Sequence, residues 1–91
     1  MTTEVAEDTI TEKVKNAIIE VRDGETPRDW HGKSREDLGI DSLGEWRVLL
    51  DIEKIFGVEI NTKKFRSYID NHQGGYLPNV VGYLKNELGV S

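Results

Sequence analysis

The chain has 91 residues with 12 basic and 17 acidic side chains, a net charge of -5, and 36% hydrophobic residues, which suits one small domain with a modest core. That balance argues against nucleic acid and anionic membrane as partners and for basic protein surfaces. The absence of cysteine excludes disulfides, thiolate catalysis and Cys-based zinc sites. Residues 1–8 carry acids where a signal peptide has positive charge, and no stretch has the length of a membrane span, so the expectation is a monomeric cytoplasmic protein with no membrane insertion.

In chain order, residues 1–8 are polar and expected to fray. Ile10, Val14, Ala17, Ile18 and Val21 then recur on one face of a helix, with Glu12, Lys13, Lys15, Asn16 and Glu20 opposite. Asp8 or Thr9 caps its start, and Glu12 completes a capping box from Thr9. Gly24 and Pro27 end it. Residues 23–41 form a long connection in which Trp30 and Leu38 are the apolar pins and residues 34–38 suit a single helical turn.

A second helix spans residues 42–56. At about 100° per residue, Val48, Leu49, Ile52, Ile55 and Phe56 fall in one arc, the expected buried face. The opposite arc is not purely polar. Ser42, Leu43, Trp46, Arg47, Leu50, Glu53 and Lys54 share it, and a Leu, Trp, Leu row rimmed by charge has the make-up of a partner-binding patch. Trp46 has two possible places, on this exposed face or folded back on Trp30. Gly57 ends the helix, and Val58 and Ile60 return the chain to the core.

Asn61 or Thr62 caps a short third helix to about residue 69, carrying Phe65, Tyr68 and Ile69. Residues 71–75 have the composition of a flexible loop. A last helix starts at about Pro78, offers Val80, Val81, Tyr83, Leu84 and Leu88 for packing, and is closed by Gly89. With no strand signal beyond residues 58–60, the fold class is all-α: a four-helix bundle with a long loop between helices one and two and a short third helix.

Ser42, flanked by Asp41 and Leu43 in the first turn of helix two, is the candidate working residue. Gly44 close by keeps bulk away from its hydroxyl. The same residues allow a plainer role, because Ser42-Leu43-Gly44-Glu45 is itself a capping box. His31 and His72 lie in loops without ligand spacing and are expected to be solvated, so no metal site is assigned. Glu45, Asp51 and Glu53 are expected to be helix-surface charges rather than an acid and base pair. Gly74-Gly75 lacks the strand and the Gly-Lys-Ser or Gly-Lys-Thr of a phosphate loop and is expected to be only a turn.

The run Asp37-Leu38-Gly39-Ile40-Asp41-Ser42-Leu43, followed by Glu53-Lys54-Ile55-Phe56-Gly57-Val58-Glu59-Ile60, resembles the acyl carrier protein family. The resemblance covers nearly the whole chain in helix order and is strongest over residues 37–60. It implies an acyl-carrier-like bundle and a 4'-phosphopantetheine arm, drawn from coenzyme A, on Ser42. Acyl groups would ride on the arm's terminal thiol as thioesters. The partners it implies are a phosphopantetheinyl transferase and acyl-loading, ketosynthase or acyltransferase enzymes of a fatty-acid, lipid or polyketide pathway. The chain itself would not be an enzyme, since no base is placed to activate the hydroxyl. A phosphodiester on Ser42 would sit at a helix N-terminus, which favours an anion.

This chain departs from the usual fatty-acid carrier in three respects. The exposed face of helix two mixes Arg47 and Lys54 with Glu53 where acids normally dominate, Trp46 replaces a small apolar residue, and residues 60–80 form a longer segment. Mixed charge implies different partners and hence a specialised carrier. Asp41, Leu43, Trp46, Arg47, Leu50, Glu53 and Lys54 are the expected partner-recognition residues. Val48, Leu49 and Ile52 are the expected lining for an acyl chain. Two alternatives stay open: an aminoacyl or peptidyl carrier, which prefers Gly-Gly-(His/Asp)-Ser-Leu, and an unmodified helical adaptor.

Overall fold

The computed structural model describes residues 5–90, with side chains from Thr9 onward. Four helices follow one another: α1 Val5–Val21, α2 Ser42–Phe56, α3 Thr62–Asn71 and α4 Tyr76–Asn86. The described residues contain no strand. Helix α1 packs against α2 and α4, and α4 packs against α3. The radius of gyration is 12.4 Å, close to the roughly 12 Å of a compact domain of this length.

Helix α1 starts at Val5, so Thr9 lies within the helix rather than at its cap and residues 5–8 are helical rather than frayed; residues 1–4 lie outside the described part. No glycine or proline stands between Val5 and Val21 to stop the helix. Ile10, Val14, Ala17 and Ile18 are buried as the spacing predicts. The end comes where Asp23 and Gly24 turn left-handed, and the Gly24 N–H reaches back to the Ile19 carbonyl at 2.9 Å.

The connection over residues 22–41 is held at several points. The Arg22 guanidinium donates to the Leu38 carbonyl, Leu38 and Ile40 are buried, and Trp30 packs half-buried on the core with Lys15 Nζ 5.7 Å from its ring centroid. The turn over residues 34–38 forms, closed by the Leu38 N–H to Ser34 carbonyl bond. Ser34 and Asp37 cap each other: the Asp37 N–H donates to Ser34 Oγ and the Ser34 N–H to Asp37 Oδ2. The Ser34 backbone bond holds the Asp37 carboxyl below its ordinary 3.8.

Helix α2 has the predicted bounds and ends on left-handed Gly57. Val48, Leu49 and Ile52 are buried and Phe56 is half-buried. Ile55 is not: it is 41% exposed, at the edge of the apolar arc. In α3, Asn61 is the cap, its Oδ1 accepting the Lys64 N–H at 3.0 Å. Phe65 and Tyr68 meet the Tyr83 ring edge to face at 5.3 and 5.6 Å, joining α3 to α4.

Helix α4 begins at Tyr76, two residues before Pro78. Proline remains in the first turn, where a missing N–H costs nothing, and the earlier start buries Tyr76 and Leu77. The helix stops at Asn86, before Gly89, and the Val90 N–H bonds to the Leu84 carbonyl at 2.9 Å. The stretch before α4 is tied down rather than loose. A Cβ on Gly75 would lie 3.1 Å from the Gly32 nitrogen, and the Tyr76 N–H donates to the Lys33 carbonyl at 2.7 Å. His72 is likewise engaged, stacked on Tyr68 at 3.8 Å with Nδ1 2.8 Å from the Tyr68 carbonyl.

Candidate functional site

Asp41, not Ser42, caps α2. Its Oδ1 accepts the Gly44 N–H at 2.7 Å, and Ser42 is the first helical residue. The capping-box role for Ser42 is therefore overturned: aspartate one residue earlier takes the cap and the serine hydroxyl is exposed. Gly44 also has a packing role. It is buried, and a Cβ there would lie 3.0 Å from Val21 and 3.3 Å from Ile40, so its small size lets α2 sit against the end of α1.

The predicted face of α2 is largely in place. Leu43 is 64%, Trp46 55% and Leu50 36% exposed, which puts Trp46 on the surface rather than against Trp30. Arg47 and Lys54 are exposed. Glu53 is half-buried, and its Oε2 accepts the Ile60 N–H at 2.7 Å, which fixes the segment after α2.

Helices α2 and α3 make no close backbone approach among the described residues. Between them runs a groove of about 910 Å³ whose walls include Ser42, Trp46, Leu49, Phe65 and Arg66. Of the expected cargo residues Leu49 lines this groove, while Val48 and Ile52 are wholly buried in the core.

The main departure from expectation is Glu45. It is only 8% exposed, and its carboxylate gathers side chains from three other parts of the chain. Oε1 accepts from Arg35 Nη1 at 3.0 Å and also from Arg66 Nη2, while Oε2 accepts from the Tyr76 hydroxyl at 3.0 Å. Burial and then the Glu45 charge push the Tyr76 hydroxyl far above its ordinary 10.0. Thus Glu45 is a buried ionic hub and not a surface charge. A usable signal was present: Glu45, Val48, Leu49 and Ile52 stand at i, i+3, i+4 and i+7, the spacing of one buried stripe.

No three acidic or histidine side chains come together as metal ligands among the described residues. No helix of the described residues is long and apolar enough to cross a membrane. No family model matches this chain, no curated protein matches it, and no solved structure matches it.

Proposed function

We propose that this chain is an acyl carrier protein. A 4'-phosphopantetheine arm from coenzyme A is attached through a phosphodiester to Ser42 Oγ, and acyl intermediates are held on the arm's thiol as thioesters. The observation that carries the reading is the division of labour at the start of α2. Asp41 supplies the cap, which leaves the Ser42 hydroxyl exposed and uncommitted in the first turn, where unpaired backbone N–H groups favour a phosphate.

Two surroundings of Ser42 support it further. Leu43, Trp46 and Leu50 give partner enzymes an apolar strip beside the attachment point, flanked by Arg47 and Lys54. The groove between α2 and α3 opens at the same serine and carries Leu49, Phe65 and Trp46, so an arm and a short acyl chain have apolar surface to lie on. The mixed charge of the strip favours partners other than those of an acidic fatty-acid carrier, and hence a dedicated pathway. A phosphopantetheinyl transferase performs the loading, and acyl-loading, ketosynthase or acyltransferase enzymes use the product.

The test is labelling with a fluorescent coenzyme A analogue and a broad-specificity transferase. Wild type is expected to take up the label and Ser42→Ala none. Equal labelling of the two chains contradicts the site. A folded wild type that takes no label favours the second reading the exposed strip supports, an unmodified adaptor that binds through Leu43, Trp46 and Leu50.

A further inference from the structure

Arg35 and Arg66 donate to the same oxygen of Glu45. One carboxylate therefore faces two guanidinium groups, and its second oxygen is occupied by Tyr76. The remaining acids give little compensation. Glu36 lies 3.6 Å from Arg35 Nη2 and Asp70 3.9 Å from Arg66 Nη1, both on largely exposed carboxylates and beyond good hydrogen-bond length. Each guanidinium has five N–H donors, and Arg35 Nε is buried without a partner. In a chain of net charge -5, this groove wall carries Arg35, Lys63 and Arg66 against Glu45 and Asp70. The groove lining has three cations against two carboxylates, with the exposed Glu36 at its edge, and the two guanidinium groups have donors to spare.

Ser42 lines the same groove and precedes Glu45 by one helical turn. Side chains three apart on a helix have Cβ atoms about 5–6 Å apart, so a phosphate on Ser42 Oγ falls beside the two arginines. We propose that Arg35 and Arg66 form a receptor for a phosphate ester carried on Ser42, with Glu45 holding the guanidinium groups in place until that anion arrives. The inference rests on the reading of Ser42 as a modified residue. It adds the groups that bind the phosphate and orient whatever is attached to it along the groove between α2 and α3. Two sources share this chemistry, the phosphodiester of a prosthetic arm and a simple phosphoserine.

The test uses the full chain with phosphoserine installed at position 42 during translation, followed by phosphorus NMR against pH. The second ionisation of a phosphoserine ordinarily lies near pH ~6, and a nearby opposite charge lowers a pKa by about one unit or more. The charged groups facing it are Asp41, Glu45 and Asp70 against Arg35, Lys63 and Arg66. The folded wild type is expected to titrate about one unit below the same chain in urea. Arg66→Gln and Arg35→Gln should recover most of that difference, while the exposed control Arg47→Gln recovers none. Glu45→Gln, which removes the competing anion, should lower the value further, an effect opposite to that of a damaged fold.

A phosphate that titrates alike in wild type and both arginine variants, or is unmoved by Glu45→Gln, overturns the receptor. This titration needs no transferase, so it is decided separately from loading by coenzyme A. In a loaded chain, a phosphodiester resonance that moves on Arg66→Gln shows that the arm itself occupies the receptor. A diester resonance that stays put while the phosphoserine responds assigns it to the monoester.

Discussion

Glu45→Ala removes the shared acceptor of Arg35, Arg66 and Tyr76, and its cost can be assembled from those three partners. The buried Tyr76 hydroxyl is left without an acceptor, worth about 1–3 kcal/mol. Arg35 loses its closest counter-charge in a largely buried place. Breaking a fully buried pair costs about 3–5 kcal/mol, but the Arg66 side chain is 39% exposed and its share is screened to under about 1 kcal/mol. With Arg35, 20% exposed, taken at about 2 kcal/mol, below the fully buried case, the sum is about 3–6 kcal/mol, set against a total stability of about 5–13 kcal/mol for a chain of this length. Glu45→Gln keeps an acceptor and the shape and should cost less, about 1–2 kcal/mol. Urea unfolding followed by far-UV circular dichroism reads both. If Glu45→Ala costs no more than the exposed Glu59→Ala, within about 0.5 kcal/mol, the hub does not hold the helices together and the reasoning fails.

The cap assignment predicts that Asp41→Ala loses about 1 kcal/mol while Ser42→Ala stays within about 0.5 kcal/mol of the unmodified wild type; thermal melts of the two variants check this. Gly75 has φ 115 and its Cβ would meet the Gly32 backbone at 3.1 Å, whereas Gly57 has φ 66 with open space around it. Gly75→Ala should therefore cost about 2–3 kcal/mol in urea unfolding and Gly57→Ala only about 1. Tyr76 gives an alkaline dependence. The unfolded phenol ionises near 10.0, while the folded one keeps its proton to higher pH. The stability it contributes is complete below about pH 10 and is lost as pH rises beyond that. The fall in melting temperature from about pH 10 upward should be shallower in Tyr76→Phe.

The parts of this fold that sequence shows clearly are those set by local chemistry. The end of α2 follows from Gly57, the start of α3 from Asn61 or Thr62, and the core positions Val48, Leu49 and Ile52 from a 3.6-residue period, while the cap of α2 proved to be Asp41 rather than Ser42. The exposed Leu43 and Leu50 were also legible, because a helix face shows in the wheel, whereas Trp46 had two possible places and only the fold puts it on the surface. What was not legible depends on distant residues. The burial of Glu45 could be read from its spacing, but its partners could not, since they lie 10, 21 and 31 residues away along the chain. The two displaced helix starts, at Val5 and Tyr76, show that a cap residue or a proline permits a start without requiring one.

Whether Ser42 carries a phosphopantetheine arm is decided by intact mass. The purified chain is weighed before and after incubation with coenzyme A and a broad-specificity phosphopantetheinyl transferase, with Ser42→Ala treated in parallel. Wild type should gain one phosphopantetheinyl group and the variant none. An unchanged mass for a wild type shown to be folded, or the same gain on both chains, would contradict it.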